Sequence, residues 1–319
     1  MGPIVYIVLP VYNWEKYLLQ QLMSIYFQDY ENWHLVIIND WSTDSTKSII
    51  DKFISDYELQ KKVTIINQPN KWLNKSIENW LIEVKKIIDI SWNVDAYITY
   101  CDADDLMMIN RLSYQINYME THKDCDLSYH DLVLIDENNS ILNTSFLWMI
   151  NKKFLVNVMN DSFCEFCIAN HIPSTTIMFR SKNIDLLTPF PKVFPFQDRR
   201  TSLIFSSNNL NIKNMCIPLW YYRRYSNQMS DTSKKNIDLA KRFGDFKEAL
   251  QEIAKRSKHK ERTSEAMEYA KYYEDRIERV KRHNNILIQL TKVAIFHPKI
   301  IFKRFVALKN YVKIAKKKW

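Results

Sequence analysis

Residues 3–46 read PIVYIVLPVYNWEKYLLQQLMSIYFQDYENWHLVIINDWSTDST, and the alternation inside this stretch decides the fold. Pro3–Pro10 is an unbroken β-branched and apolar run, the pattern of a strand covered on both faces. Trp14–Phe27 then places Tyr17, Leu18, Leu22, Ile25 and Tyr26 on a helical period. Trp33–Ile38 is a second apolar run, closed by Asn39 and Asp40. Ser42-Thr43-Asp44-Ser45-Thr46 offers several N-caps for a helix over Lys47–Tyr57. Strands separated by helices are the arithmetic of a parallel sheet, because parallel neighbours need a crossover.

The alternation continues outward. Val63–Ile66 reads as a third strand, Ser76–Ile90 as a helix and Ala96–Cys101 as a fourth strand. Past Leu106 the pattern loosens. Asn110–His122 is expected to be a helix, Asp126–Leu134 and Ile141–Leu147 strands of a mixed edge, and Thr175–Phe179 a short strand. Asp238–Asn285 is charged and nearly free of turn residues, which predicts helix throughout. The expected fold class is α/β: a mostly parallel, Rossmann-like sheet with flanking helices and a C-terminal helical extension.

Composition narrows the function. With 46% hydrophobic and 13% aromatic residues in 319, the chain can bury a core, which excludes disorder as its main state. Gly2 and Gly244 are its only glycines, so no glycine-rich phosphate loop exists. Five scattered cysteines, Cys101, Cys125, Cys164, Cys167 and Cys216, suggest reduced thiols and a cytoplasmic setting. Cys164 and Cys167 have CxxC spacing but lack the second pair that zinc would want. The apolar run before Pro10 is too short for a signal peptide, and no stretch reaches the length of a membrane span.

The net charge of +9 is local. Nine Lys and Arg and no acidic residue lie in 291–319; the rest of the chain holds 36 of each sign. Ile301, Phe305, Leu308, Val312, Ala315 and Trp319 form one helical stripe there, with most lysines off it. A basic amphipathic tail is expected to lie on an anionic membrane surface, or else to dock on the domain. Nucleic acid is not an expected partner, because the balanced charge elsewhere leaves no basic path.

Thr99–Met108, TYCDADDLMM, crowds Asp102, Asp104 and Asp105 at the end of the fourth strand. Ligands of open α/β sheets bind beyond the carboxyl ends of strands. Asp40 and the Asn13/Glu15 pair fall at two other such ends. Such carboxylates suit Mg²⁺ or Mn²⁺, which could bridge to a diphosphate in place of a glycine-rich loop. The plainer alternative is that Asp102–Asp105 caps the helix that follows.

These segments resemble glycosyltransferase family 2, with the GT-A fold. Residues 6–46 are similar to its VPVYN…E opening and DDGSTD turn, and CDADD to its DxD motif. SYHDLVLID, HIPSTTIMFR, FQDRRTSLIF and YYRRYSNQMS follow in the family's order, so the resemblance covers about 3–230. It implies an inverting transferase. Such an enzyme would move a hexose or N-acetylhexosamine from a nucleotide sugar, UDP-linked by expectation, to a glycan or lipid-linked glycan. Mn²⁺ or Mg²⁺ would assist, at the inner face of the cell membrane. Pro10, Tyr12, Asn13 and Glu15 would line the base and ribose, Asp40 would accept from the base, Asp102 would contact the nucleoside and Asp104 would hold the metal. Asp198 would be the base; alternatively it is a loop residue paired with Arg199 or Arg200. Arg223 and Arg224 are candidate phosphate contacts or solvated surface residues. His130 and His171 are expected to be structural or superficial.

The sequence departs from the family pattern at three positions. Asn39 stands for the first Asp of the turn, Trp41 for its Gly, and Gln197 for the Glu before Asp198. Trp41 either stacks on a base or packs, and packing is the expectation. The expected division is 1–230 transferase (1–106 nucleotide-binding, 107–230 acceptor-binding), 231–290 helical and 291–319 tail. The competing functions are a nucleotidyltransferase and a non-catalytic membrane-bound adaptor.

Overall fold

A computed structural model of the chain describes residues 2–68, 73–90, 95–147, 149, 163–168, 172–188, 197–226 and 239–282. The basic tail, 291–319, and His171 lie outside the described residues. The first elements are β1 (Val5–Val11), α1 (Leu18–Tyr26), β2 (Trp33–Asn39), α2 (Thr46–Asp56), β3 (Val63–Asn67), α3 (Leu73–Ile90) and β4 (Tyr97–Tyr100). Their strands form a parallel sheet in the order β3-β2-β1-β4. Val5–Leu9 and Leu35–Ile38 are buried on both faces, which is why these strands read as continuous apolar runs.

Pro10 sits inside β1, where a missing N–H would normally break a ladder. The ladder to β4 has already ended there, at the bond from Cys101 N–H to the Val8 carbonyl (3.0 Å). Tyr97 N–H donates to the Ile4 carbonyl on that same side, so even-numbered residues of β1 face β4. Pro10 therefore removes a donor at the point where the chain after β4 leaves the sheet.

The second half contributes β5 (Leu106–Met107), α4 (Arg111–Thr121), β6 (Leu127–Ile135), β7 (Ile141–Asn143), α5 (Phe163–Ile168), β8 (Met178–Arg180), α6 (Gln197–Ser207), β9 (Ile212–Arg223), α7 (Leu239–Arg256) and α8 (Lys260–Arg282). The sheet continues from β4 through β8, β6 and β9 to β5, with β7 on β6. β8 is antiparallel to β4 and β6, whereas β6 and β9 are parallel.

Two sequence expectations shift, and one strand, β9, was not foreseen. The first helix begins at Leu18, not Trp14, because Asn13 takes a left-handed φ of 57° and a turn precedes the helix. β9 has no clean alternation: register shifts opposite Tyr129–Val133, a left-handed Cys216 (φ 58°) and Pro218 hide it. The long charged helix is two helices. Ser257 ends the first, and its hydroxyl accepts from His259 N–H (3.2 Å), a break made without Gly or Pro.

The chain forms two compact units. One is Met1–Phe146, Ile172–Phe190 and Asn211–Tyr225, which holds the whole sheet; the other is Leu147–His171, Pro191–Leu210 and Ser226–Trp319, which holds α5–α8. The units interleave along the sequence, so a cut after residue 230 separates α5 and α6 from α7 and α8. Arg199 shows why these four helices group. It is buried, and its guanidinium donates to the carbonyls of Phe166 (2.9 Å) and Cys167 and to the Tyr273 hydroxyl (2.9 Å). It also lies 4.0 Å over the Phe246 ring. A cation on the last carbonyls of α5 suits that helix end. Among the described residues no helix is long and apolar enough to cross a membrane.

Candidate active site

β2, β1 and β4 are parallel neighbours, so the segments that follow them leave the sheet at one edge. That edge receives Tyr12–Glu15, Asp40 and Asp102–Asp105. The strand ends thus bring together the acidic positions that the sequence singled out.

The first two of these segments are tied to each other. Asn13 N–H donates to Ser42 Oγ (3.1 Å), and Thr43 N–H donates back to Asn13 Oδ1 (2.8 Å). Glu15 N–H donates to Asp44 Oδ2 (3.1 Å), and Ser45 N–H returns a bond to Glu15 Oε2 (3.0 Å). Asp44 Oδ1 also accepts from Thr46 N–H (2.9 Å). Partial desolvation raises the Asp44 carboxyl, but these hydrogen bonds outweigh it and hold the group below its ordinary range. Asn13 and Glu15, expected at the nucleotide, here fix the shape of the edge.

Asn39 explains how the altered turn survives. Its Oδ1 accepts from Ser42 N–H (3.1 Å) and its amide donates to Asn67 Oδ1 (3.1 Å). Asp40 donates its N–H to the Val11 carbonyl (2.9 Å), and Gln68 Nε2 donates to Asp40 Oδ1 (3.3 Å). Trp41 adopts φ 62°, the left-handed conformation that glycine would supply. The expectation that Trp41 packs is overturned: the residue is 63% exposed.

The carboxylate run is not a helix cap. After it comes the short strand β5, and α4 starts only at Arg111. Asp105 is fully buried; Trp220 Nε1–H and Arg223 N–H donate to its two oxygens, each at 2.8 Å. Burial pushes its carboxyl well above the usual range, with the charges of Asp104 and Asp102 adding to the effect. The same two donors oppose this rise. Asp104 is nearly buried, and its Oδ2 accepts from the Tyr225 hydroxyl (2.9 Å). Burial first, then the Asp104 charge, raises the Tyr225 phenol, which therefore stays a donor. Tyr225 packs near Trp14 and Tyr17, with centroids at 6.4 and 5.9 Å.

Arg223 requires a correction. It is neither a solvated surface residue nor placed as a phosphate clamp. It is fully buried, with Nε donating to the Asp104 carbonyl (2.8 Å), Nη1 to Asn139 Oδ1 (2.6 Å) and Nη2 to Gln20 Oε1 (3.0 Å). Its guanidinium covers the Tyr17 ring at 4.5 Å. It fastens the carboxylate segment to α1 and to the β6–β7 turn. Arg224 is half-buried, with its N–H on the Ile135 carbonyl (2.8 Å).

No sequence signal marks a second buried network, built around Arg111 and His130. Arg111 donates Nε to His130 Nε2 (3.1 Å), and His130 Nδ1 meets the Asp131 carbonyl (2.7 Å). Burial lowers the Arg111 pKa to about 9 and, with the Arg111 charge, keeps His130 neutral. His130 is thus structural. Cys101 and Cys125 are buried free thiols, and burial pushes Cys101 up to about 12, an inert group.

Among the described residues no three or more His, Cys, Asp or Glu are placed to hold a metal. Asp102 and Asp104 still fit a hard cation of the Mg²⁺ or Mn²⁺ kind, which takes one or two carboxylates and completes its shell from substrate phosphates. Asp198 stands in the first turn of α6, with its side chain outside what the structure describes. Arg199 is engaged with α5 and α8, and its alternative pairing with Asp198, like that of Arg200, lies outside what the structure describes.

The family description "Glycosyl transferase family 2" matches residues 6–172, more than half of the chain. The chain belongs to glycosyl transferase family 2. Among its family 2 relatives, the putative glycosyltransferase EpsE of Bacillus subtilis is 32% identical over 136 residues, 43% of this chain and 45% of that protein. Glycosyltransferase GlyG of Streptococcus pneumoniae is 28% identical over 139 residues, 44% of this chain and 42% of that protein. The chain spans about half the length of the curated relatives it matches. Two solved structures share the GT-A-like fold. S. aureus TarS 1-349 in complex with UDP-GlcNAc has a TM-score of 0.57 at 16% identity, covering 91% of this chain and 78% of that one. The mannosyltransferase PcManGT from Pyrobaculum calidifontis, in complex with GDP-Man and Mn²⁺, has a TM-score of 0.54 at 12% identity, covering 97% and 86%.

Proposed function

We propose that this family 2 chain is an inverting glycosyltransferase. It moves a hexose or N-acetylhexosamine from a nucleoside diphosphate sugar, UDP-linked by preference, to a hydroxyl of a glycan or lipid-linked glycan. The observation that carries the reading is the convergence of Asp40, Tyr12 and the Asp102–Asp105 run on one edge of parallel strands, in a chain of this family. Asp40 accepts an N–H of the base, Pro10 and Tyr12 line it, and Asp102 contacts the nucleoside. Asp104, oriented by Tyr225, would hold Mn²⁺ or Mg²⁺, which when bound neutralises charge on the departing diphosphate. Arg224 is the remaining candidate for a phosphate contact.

Asp198 is the base in this reading. As the acceptor oxygen bonds to the anomeric carbon, its proton passes to the Asp198 carboxylate. The bond from that carbon to the diphosphate breaks on the opposite side, and its electron pair leaves with the nucleotide. One displacement inverts the anomeric centre. The transferase part is taken as 1–230, and the tail 291–319 holds the chain on an anionic membrane at the cytoplasmic face, close to a lipid-linked acceptor. Incubating the full chain with a panel of UDP- and GDP-sugars and a glycan acceptor, with Mn²⁺, tests the function. Release of nucleoside diphosphate with one sugar class is expected; no turnover of any sugar nucleotide would defeat it.

A further inference from the structure

We propose that Trp41 is a base-stacking residue of the donor site, placed beside Tyr12 to hold the face of the nucleotide base whose edge Asp40 reads. The proposal rests on the donor reading above and names a contact that the usual Gly at this turn cannot make. Two properties of Trp41 are unfavourable in the free protein. A bulky side chain with φ of 62° is strained. The other described non-glycine residues at positive φ are Asn13, Glu58, Asn139, Asn209 and Cys216, and Trp is the bulkiest among them. The residue is also 63% exposed, and among the described residues no other ring packs on it. A residue that strains its backbone and recovers little by burial draws its benefit from something outside the chain.

Its position says what that is. Val11 and Asn39 are register partners at the ends of β1 and β2, and Asp40 N–H bonds the Val11 carbonyl at 2.9 Å. Tyr12 and Trp41 therefore follow adjacent strand ends, one on each side of that bond, and Tyr12 is 46% exposed. Two exposed aromatics thus follow the strand ends that also carry the Asp40 carboxylate, and the network of Asn13, Ser42 and Thr43 holds the backbone that bears them. A planar heterocycle with an N–H edge fits this set: its edge reaches Asp40 and its faces meet the rings. Stacking is tolerant of base identity, so this contact strengthens binding while Asp40 selects.

Calorimetric titration of the full chain with UDP, GDP and inorganic pyrophosphate, in Mn²⁺, tests the proposal. Trp41→Ala is expected to weaken nucleotide binding about tenfold and Trp41→Phe to recover most of the loss. Pyrophosphate affinity should stay unchanged in both variants. Trp41→Gly should bind nucleotide as poorly as Trp41→Ala while melting about 2 °C above wild type, because glycine suits the backbone. A merely structural tryptophan would not move affinity and melting in opposite directions. Wild-type UDP affinity in Trp41→Ala, beside measurable wild-type binding, would overturn the stacking contact alone. Equal loss of UDP and pyrophosphate would overturn it as well, by showing a collapsed loop. A wild-type chain that binds neither nucleotide would overturn the donor reading together with this contact.

Discussion

Asp40 directly follows β2 as a half-buried residue whose carboxylate accepts from Gln68 and whose N–H is held by the Val11 carbonyl. Removing such a charged acceptor costs about 1.5–3 kcal/mol when its partner is an N–H of a bound ligand. Asp40→Ala should therefore weaken UDP binding roughly tenfold to a hundredfold, with an unchanged melting temperature; equal affinity would remove it as the base acceptor. Asp44 gives a pH signature. Its folded pKa lies below the unfolded one, so the folded state binds a proton less readily. Its contribution is complete above the ordinary 3.8 and is lost as pH falls through the lower folded value. The Glu15 and Thr46 amides should stay protected from hydrogen exchange at pH 5 and above, about a unit over that value, and lose protection, relative to the intrinsic rate at each pH, under stronger acid. In Asp44→Ala those two amides should exchange fast at every pH. Asp40, Asp102 and Asp104 could be read from sequence because charge at a strand end is conspicuous. The exposure of Trp41 could not, because it depends on a left-handed turn that only the backbone reveals.

At the scale of elements, Asp105 and Arg223 form the rivet between the carboxylate segment and β9. An amide at position 105 would present a donor to either Trp220 Nε1–H or Arg223 N–H. Asp105→Asn should destabilise by about 1–3 kcal/mol in urea titration. Arg223→Ala strands the Asn139 and Gln20 side-chain acceptors and the Asp104 carbonyl, and should cost about 3 kcal/mol or more. If either variant unfolds like wild type, the rivet is not structural. The parallel strands were readable because both faces are covered and their residues run apolar without interruption. β9 was not, because its bulged pairing with β6 erases the period of two. The break at Ser257 was hidden for a related reason: a serine cap resembles any other polar residue in a charged helix. The sequence left Arg223 between a phosphate contact and a solvated surface residue because it cannot show guanidinium donors finding buried acceptors.

Across the whole molecule, the residues proposed for the donor lie in the sheet unit, and Asp198, the proposed base, belongs to the helical unit. Asp198→Asn should abolish transfer while leaving nucleotide affinity within about twofold, since general base catalysis contributes roughly 10²–10⁴ to the rate. Unaltered turnover would remove Asp198 as the base. The tail's charge was readable from composition alone. Deleting 291–319 should release the chain from liposomes rich in anionic lipid, each basic residue contributing about 1 kcal/mol near the surface. Undiminished liposome binding would place the membrane contact elsewhere. The central proposition is that carboxylates at adjacent strand ends grip a nucleoside diphosphate through a divalent cation. Titrating the full chain with UDP in Mn²⁺, then in EDTA, then repeating with Asp104→Asn, tests it most directly. Saturable binding that is lost on chelation and in the variant is expected; binding indifferent to both, or none in Mn²⁺, would contradict it.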